Sequence, residues 1–438
     1  MDSQLLKARI INSQWLLRFL VLGILWAGLW VLKIEGKASV PILWQALLFS
    51  VLVMLGLILE KVLKVQGDAF LLPAVLAILA LGLVFLVRID PTRSLRQFYW
   101  ANLGLVLYYV VFWGVKDYRR LGRFQYLWGL AAVILLFITL IFGVASGGAT
   151  SWLKVGGFGF EPEELVKVTL LLFLSAYFTE KEELLRVGTV QWWKISLPDW
   201  RTLGPFLIMA AFVFGFLGAQ KSLGTALVFY AMFVILLYVV TERPLYLGIS
   251  LPILGITGWL GYLAFGHVRT RIWAWLNPWA DATGGGHQIA QSLFAIGGGG
   301  IFGTGLGNGI GAYQVPVASS DFIFSVMAEE LGFAGAMAVI CLFLIVVLRA
   351  FTVSMKATDR FGQILAAGIG ILIGVETLII LAGVTKLLPL TGIPLPWASL
   401  GGSSLTVHFL LLGILSNISH ATEVNISDVR AKGKECAG

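Results

Sequence analysis

Asp281 closes a stretch whose residue types could do chemistry. It reads Arg269-Thr-Arg-Ile-Trp-Ala-Trp-Leu-Asn-Pro-Trp-Ala-Asp281, and Gly284-Gly-Gly286 follows. Within residues 266–324 the only charged side chains are Arg269, Arg271, Asp281 and Asp321. A carboxylate beside glycines can act as a general base or a cation ligand, because the missing side chains let a bulky substrate approach the backbone. It can equally be a solvated loop acid, or a cap for a helix starting near Gln288. Glu164 and Lys167, three residues apart, share one helix face. They make either an acidic helix entry with a snorkelling lysine or a buried ion pair lining a polar cavity.

Other candidates are simpler. Asp321 reads as an N-cap, favourable to the helix dipole. Glu329 and Glu330 fall about two turns into that helix, so at least one must face protein or water. Gly297-Gly-Gly-Gly300 and Gly303-Thr-Gly-Leu-Gly307 lack the strand–loop–helix setting of a phosphate-binding loop, so a flexible or re-entrant segment is expected. Residues 386–404, starting at Lys386, hold three prolines and three glycines. They exclude a regular helix and are expected to pack beside the 266–324 loop. Cys341 and Cys436 are too far apart in the chain plan to pair. His267, His287, His408 and His420 are scattered, with no zinc pattern.

The elements that position these residues are apolar. The 438-residue chain is 58% hydrophobic and 12% charged, with mean hydropathy +0.91. A soluble domain is about 45–50% apolar and about 25% charged. The chain therefore reads as an all-α polytopic membrane protein. About twelve spans of the required length fall near 15–33, 40–59, 69–88, 97–115, 126–145, 163–178, 203–219, 223–241, 244–265, 322–348, 362–385 and 404–420. The net charge of +8 sits in short loops, which signals topology and excludes a nucleic-acid partner. With both termini cytoplasmic, inner segments carry about 19 Lys and Arg and outer ones about 10. Lys116-Asp-Tyr-Arg-Arg-Leu-Gly-Arg123 is the strongest inner segment, and Arg88, Arg93 and Arg96 dissent outside. Arg18 reads as a snorkelling residue. Glu180-Lys-Glu-Glu183 is expected to prolong a helix into water, with Trp192 and Trp193 at the membrane interface. The tail from Thr422 is expected to be disordered. The organisation is then 1–68 as two N-terminal helices, 69–420 as the core with its outer loop 266–324, and 421–438 as a cytoplasmic tail.

Over residues 69–420 the chain resembles the SEDS family (shape, elongation, division and sporulation), the RodA/FtsW-like polymerases. The resemblance rests on five segments in register. They are Gly148-Ala-Thr-Ser-Trp152 with Glu161-Pro-Glu-Glu164 and Lys167; Gln220-Lys-Ser-Leu-Gly-Thr-Ala226; Asn277-Pro-Trp-Ala-Asp281 through Gly305; Asp321-Phe-Ile-Phe through Glu329-Glu-Leu-Gly332; and Leu388 through Ser404. It implies a ten-helix core plus two N-terminal helices, and a plasma-membrane enzyme of bacteria. The enzyme would polymerise lipid II, the undecaprenyl-linked disaccharide-pentapeptide, into glycan strands outside the cell, for elongation or division. Asp281 matches the family's essential aspartate. Trp152, Glu164 and Lys167 match residues of the first outer loop and central cavity. The expected partners are lipid II, a single-span class B penicillin-binding protein and membrane lipid. The chain departs from the family pattern at Glu161, Glu163, Ala282, His287 and Ser319-Ser320. It also has Ser222 where aspartate is usual, which removes one cavity carboxylate.

In the implied reaction Asp281 takes the proton of the acceptor 4-hydroxyl as it attacks the donor's anomeric carbon. A free carboxylate titrates near 4, so this needs desolvation, or a role holding a divalent cation (Mg²⁺ or Mn²⁺) against the pyrophosphate. Arg269, Arg271, Lys154 and Lys386 are candidate pyrophosphate contacts, or interface anchors. Gln220 belongs with the cavity candidates. The competing readings are a flippase for lipid-linked precursors and a non-catalytic scaffold for the crosslinking partner.

Overall fold

The structure is a computed structural model. It describes the backbone of Ser3–Glu435 except 147–148, 156–157, 188–189 and 193–194, and side chains within 14–144, 151–154, 159–187 and 198–427. In chain order the elements begin with helices α1 (Ser3–Ile34), α2 (Val40–Val62), α3 (Leu71–Ile89), α4 (Pro91–Gly114), α5 (Arg119–Gly122) and α6 (Gln125–Phe142). Strands β1 (Val144–Ser146), β2 (Ala149–Val155) and β3 (Phe158–Phe160) precede α7 (Pro162–Val187), and β4 (Val190–Trp192) and β5 (Ile195–Leu197) follow it. Then come α8 (Trp200–Ala219), α9 (Leu223–Thr241), α10 (Pro244–Ala264), α11 (Gly266–Leu276), α12 (His287–Gly298), α13 (Gly311–Gln314), α14 (Ile323–Lys356), α15 (Arg360–Val384) and α16 (Gly402–Glu435).

Each of the twelve expected spans falls on a helix. Ten of these helices are long and apolar enough to cross a membrane. The other two, α4 and α7, are 24 and 26 residues long but carry more polar side chains. Several of those side chains are buried: Ser94, Gln97 and Asn102 on α4, and Glu163, Glu164, Lys167 and Ser175 on α7. The boundaries follow local chemistry. Asp90 caps α4, its carboxylate accepting the Arg93 N–H at 3.0 Å, with Pro91 in the first turn. Lys221 takes a left-handed φ of 59°, which lets α8 turn into α9 within three residues.

The chain forms two compact units. One comprises Met1–Lys116, Ala274–Thr358 and Glu376–Gly438. Its core lies on α3, apolar on every side and 89% buried, packed by α1, α4 and α14. Helices α2 and α16 pack on α4. The other unit comprises Asp117–Trp273 and Asp359–Val375 and is built from α6, α7, α8 and α9. Helix α10 packs on α9 with only 6% of its apolar window buried.

Several expectations change. The first outer segment is an antiparallel sheet ordered β1-β2-β3. Residues 266–324 hold three helices and a 3-10 turn, Pro278–Asp281. The tail is helical to Glu435 rather than disordered, as α16 simply continues. Arg18 does not snorkel: it is buried and pairs with Glu60 at 2.6 Å, joining α1 to α2. Glu180–Glu183 does prolong α7. Gly148, Trp193 and Cys436, and the side chain of Trp192, lie outside the described residues.

Candidate functional site

Asp281 ends the 3-10 turn that Pro278 opens. Its carboxylate folds back over the following glycines, where Oδ2 accepts the Gly285 N–H at 2.7 Å. Its carbonyl accepts the N–H groups of Gly284 and Gly286, at 3.2 and 3.0 Å. Two of these glycines are required by close approach. A Cβ on Gly284 would strike the Asp281 carboxylate, and one on Gly286 would strike the Pro278 carbonyl. Asp281 is therefore held by its own turn, yet it is exposed. It does not cap α12: Gly286 stands at that position and makes no side-chain bond. His287 Nδ1 lies 2.9 Å from the Ala282 carbonyl, closing the turn from the helix side.

The glycine stretch that follows is ordered by α14. That helix breaks at Gly332 (φ 70°, ψ −174°), losing its own ladder for a turn. The glycine loop supplies the missing partners. Phe333 and Ala334 donate to the carbonyls of Gly300 and Ile301, at 2.8 and 3.1 Å, while Thr304 and Gly305 donate to those of Glu329 and Glu330, both at 3.0 Å. Both carboxylates are buried. Glu329 accepts the N–H groups of Ile310 (3.0 Å) and Gly311 (2.8 Å). Glu330 accepts the Gly307 N–H (2.9 Å) and the Arg88 guanidinium (3.0 Å). Arg88 also donates to the carbonyls of Gly307 (2.7 Å) and Gly309 (2.8 Å) and to the Tyr313 hydroxyl (2.8 Å). Non-helical backbone at this depth thus has its polar groups satisfied by protein. The segment is an ordered loop with a structural carboxylate pair beneath it.

In the second unit the start of α7 gathers acids. Glu164 and Lys167 form the buried ion pair at 2.7 Å. Glu163 is buried too; its Oε2 accepts the Ser222 hydroxyl at 2.7 Å, and its Oε1 has no partner among the described residues. A carboxylate therefore does stand at Ser222, supplied by α7. Just outside the helix, Glu161 is pushed up to about 8, by burial first and then by the neighbouring Glu164 and Glu163 carboxylates. Trp152 on β2 is half-buried, its indole lying where a Cβ on Gly159 would come. Gln220 is buried, donating to the Leu136 carbonyl at 2.7 Å.

The remaining candidates are more dispersed. Asp321 lies one residue before the cap position, which Phe322 occupies without a side-chain bond, so the capping reading is corrected. It accepts the Ser320 hydroxyl at 2.7 Å. Lys386 is left-handed (φ 62°), and its carbonyl accepts the Trp275 indole N–H at 3.1 Å. The Leu400 N–H to the Ser319 carbonyl, at 2.8 Å, also ties 386–404 to the loop, as expected. Arg269 and Lys154 are exposed. Arg271 is half-buried near His267, whose titration is lowered by burial and then by Arg271 and Lys221. Among the described residues no three His, Cys, Asp or Glu side chains cluster as metal ligands. A cation shared with a phosphate needs fewer, since Mg²⁺ keeps waters and takes one or two carboxylates. Asp281, an exposed carboxylate, would be the side chain to supply one.

The sequence reading missed three groups. Arg88, an outer charge that dissents from the positive-inside pattern, is buried and paired with Glu330, 242 residues away, a partner no local signal points to. Glu163 is buried and bonded to Ser222, which its place beside Glu164 does not signal. Glu376, the one carboxylate of its span, pairs with His408 at 2.7 Å, and the His408 ring meets Trp397 edge-on. A lone carboxylate mid-span was itself the clue.

The family described as cell cycle proteins, of the FtsW, RodA and SpoVE type, matches residues 68–424. A peptidoglycan glycosyltransferase RodA of Mycobacterium tuberculosis is 38% identical over 367 residues, spanning 81% of this chain and 78% of its own. A probable peptidoglycan glycosyltransferase FtsW of Geobacter sulfurreducens is 37% identical over 310 residues, 69% of this chain and 79% of its own. Among solved structures, a chain from work on the structural coordination of polymerization and crosslinking by a peptidoglycan synthase complex superposes with TM-score 0.67. It is 28% identical and covers 81% of this chain and 98% of its own. The rod shape determining protein RodA of Thermus thermophilus gives 0.59 at 27% identity, covering 81% and 97%.

Proposed function

The chain belongs to the FtsW/RodA/SpoVE family, and from that premise we propose a mechanism for a multi-pass membrane peptidoglycan glycosyltransferase centred on Asp281. The observation that carries it is the turn itself. An exposed carboxylate is fixed by the Gly285 N–H, and it leaves no room for a Cβ on Gly284. The substrate class is lipid II. Its sugar–pyrophosphate head seats against the 277–286 turn and its lipid tail runs in the bilayer.

Asp281 accepts the proton of the acceptor's 4-hydroxyl. The freed oxygen bonds to the donor's anomeric carbon, whose bond to pyrophosphate oxygen breaks, and undecaprenyl pyrophosphate leaves with that electron pair. Base catalysis of this kind contributes about 10²–10⁴-fold. Because Asp281 is exposed, seated substrate rather than the protein interior excludes the water around it. In the alternative role, Asp281 would hold a divalent cation that neutralises the departing pyrophosphate. Lys386, Arg269, Arg271 and Lys154 are the cationic residues proposed to meet the pyrophosphate. Trp152, Glu164, Lys167 and Gln220 are proposed to line the substrate cavity, with Asp321 beside the loop. Glu329 and Glu330 act by holding that loop. Both termini are placed in the cytoplasm and residues 266–324 outside, following the distribution of Lys and Arg. The partner is a crosslinking enzyme of the class B penicillin-binding type.

The test is reconstitution in proteoliposomes with that partner and lipid II. Glycan strands and released undecaprenyl pyrophosphate are expected. Movement of lipid II across the bilayer without either product would replace the reading with a flippase.

A further inference from the structure

The family match begins at residue 68, so α1, α2 and the turn between them lie outside it. That turn nevertheless reaches the glycine loop of the core. The helices carrying it are firmly seated. Gly28 of α1 lies so close to Val84 of α3 that a Cβ would come within 2.7 Å of the valine. Gly56 of α2 lies against the Tyr109 ring of α4, Arg18 pairs with Glu60, and the Trp26 indole donates to Ser50 at 3.0 Å. The turn is a defined one: Gly36 has φ 76°, and the Gly36 and Lys37 N–H groups return to the carbonyls of Lys33 (3.0 Å) and Leu32 (2.9 Å).

From this base two side chains meet the loop. The Glu35 carboxylate occupies the space where a Cβ on Gly307 would fall. The Lys37 ammonium lies 5.7 Å from the Tyr313 ring centre and 3.0 Å from Glu35. Gly307 is thus held from three sides: its N–H by Glu330, its carbonyl by Arg88 and its bare Cα by Glu35. Tyr313 is gripped by two cations, since Arg88 both donates to its hydroxyl and stacks 4.9 Å from its ring. The hydroxyl's titration is lowered accordingly, by Lys37 first and then Arg88.

We propose that Glu35 and Lys37 are positioning residues, and that the N-terminal helix pair clamps residues 303–313 so that the loop downstream of Asp281 and α12 holds one conformation during polymerisation. The loop needs such a clamp because it is rich in glycine and left-handed at Gly303, Gly305 and Gly307 (φ 82°, 90° and 96°). The catalytic half of this inference rests on the polymerase reading, while the clamp itself does not.

The experiment uses the full chain in lipid nanodiscs. Glu35→Ala and Lys37→Ala are expected to speed amide hydrogen exchange at 303–313 about three- to tenfold, the scale of one exposed pair plus one cation–π contact. Exchange in α3 and α4 stays at the wild-type rate. In polymerisation the same variants raise KM more than they lower kcat, and Lys37→Arg restores both readouts. The exchanged pair Glu35→Lys with Lys37→Glu keeps the ion pair but behaves as the alanine variants do. Unchanged exchange at 303–313 in both alanine variants would overturn the clamp. So would a double exchange that behaves as wild type, because the pair would then only tie its own turn. Faster exchange with unaltered polymerisation kinetics would remove the positioning role. Faster exchange in a protein whose wild type makes no glycan would leave the clamp standing and remove the polymerase reading instead.

Discussion

Two sets of glutamates in this protein hold buried members and are partnered differently. Beneath the kink of α14, Glu329 and Glu330 receive three backbone N–H groups and a guanidinium. At the start of α7, Glu161, Glu163 and Glu164 share one lysine, and Glu163 keeps an oxygen without a partner among the described residues. Buried charge is tolerated when hydrogen bonds and an opposite charge replace water. The first set meets that condition and is structural. The second gathers three carboxylates around one lysine, which raises Glu161, a pattern commoner at functional sites than elsewhere. Burial alone therefore separates nothing, and the completeness of partnering does.

The contrast can be broken most forcefully at Arg88. Arg88→Met leaves Glu330 charged and buried and two glycine carbonyls without their donor, so a loss of about 3–5 kcal/mol is expected. It is read as a large fall in the unfolding midpoint in detergent. A smaller fall is expected for Lys167→Met, about 1–3 kcal/mol, because protonation of the cluster can absorb the missing charge. If Lys167→Met proved as damaging as Arg88→Met, the α7 cluster would have no such slack.

Acidity sharpens the same difference. Burial and its acidic neighbours raise Glu161 from 4.5 to about 8 in the folded chain. A raised carboxylate means the folded state binds the proton more tightly. Stability then falls as pH rises from the unfolded value to about 8 and levels off above it, by up to roughly 1.4 kcal/mol per unit. Glu161→Gln should flatten that decline between pH 5 and 8, measured as unfolding midpoint against pH. An unaltered slope would place the titration elsewhere. The smallest effect is expected at Ser222→Ala, which removes one hydrogen bond from Glu163 and costs about 1 kcal/mol.

Much of this was legible from residue order. Apolar length located the twelve long helices, and the three-residue spacing of Glu164 and Lys167 put the two on one face, where they pair. What escaped was whatever depends on partners distant in the chain. Arg88 lies 242 residues from Glu330, and nothing local says that a kinked helix needs an arginine from α3. Arg18 looked like a snorkelling residue because Glu60 is a helix away. The order within 266–324 was hidden for another reason: glycine-rich sequence reads as flexible, whereas here the Gly332 break supplies the hydrogen-bond partners that fix it. For Asp281 residue order left a solvated acid and a base or cation ligand both open; the exposure moves the burden of desolvation onto the substrate.

The account turns on Asp281, and the direct measurement is lipid II polymerisation by wild type and Asp281→Asn, each purified with the crosslinking partner. The substitution keeps the Gly285 N–H an acceptor and removes the base. Glycan strands from wild type and a loss of at least about 10²-fold in the variant are predicted. Equal strand formation by both proteins would contradict the account.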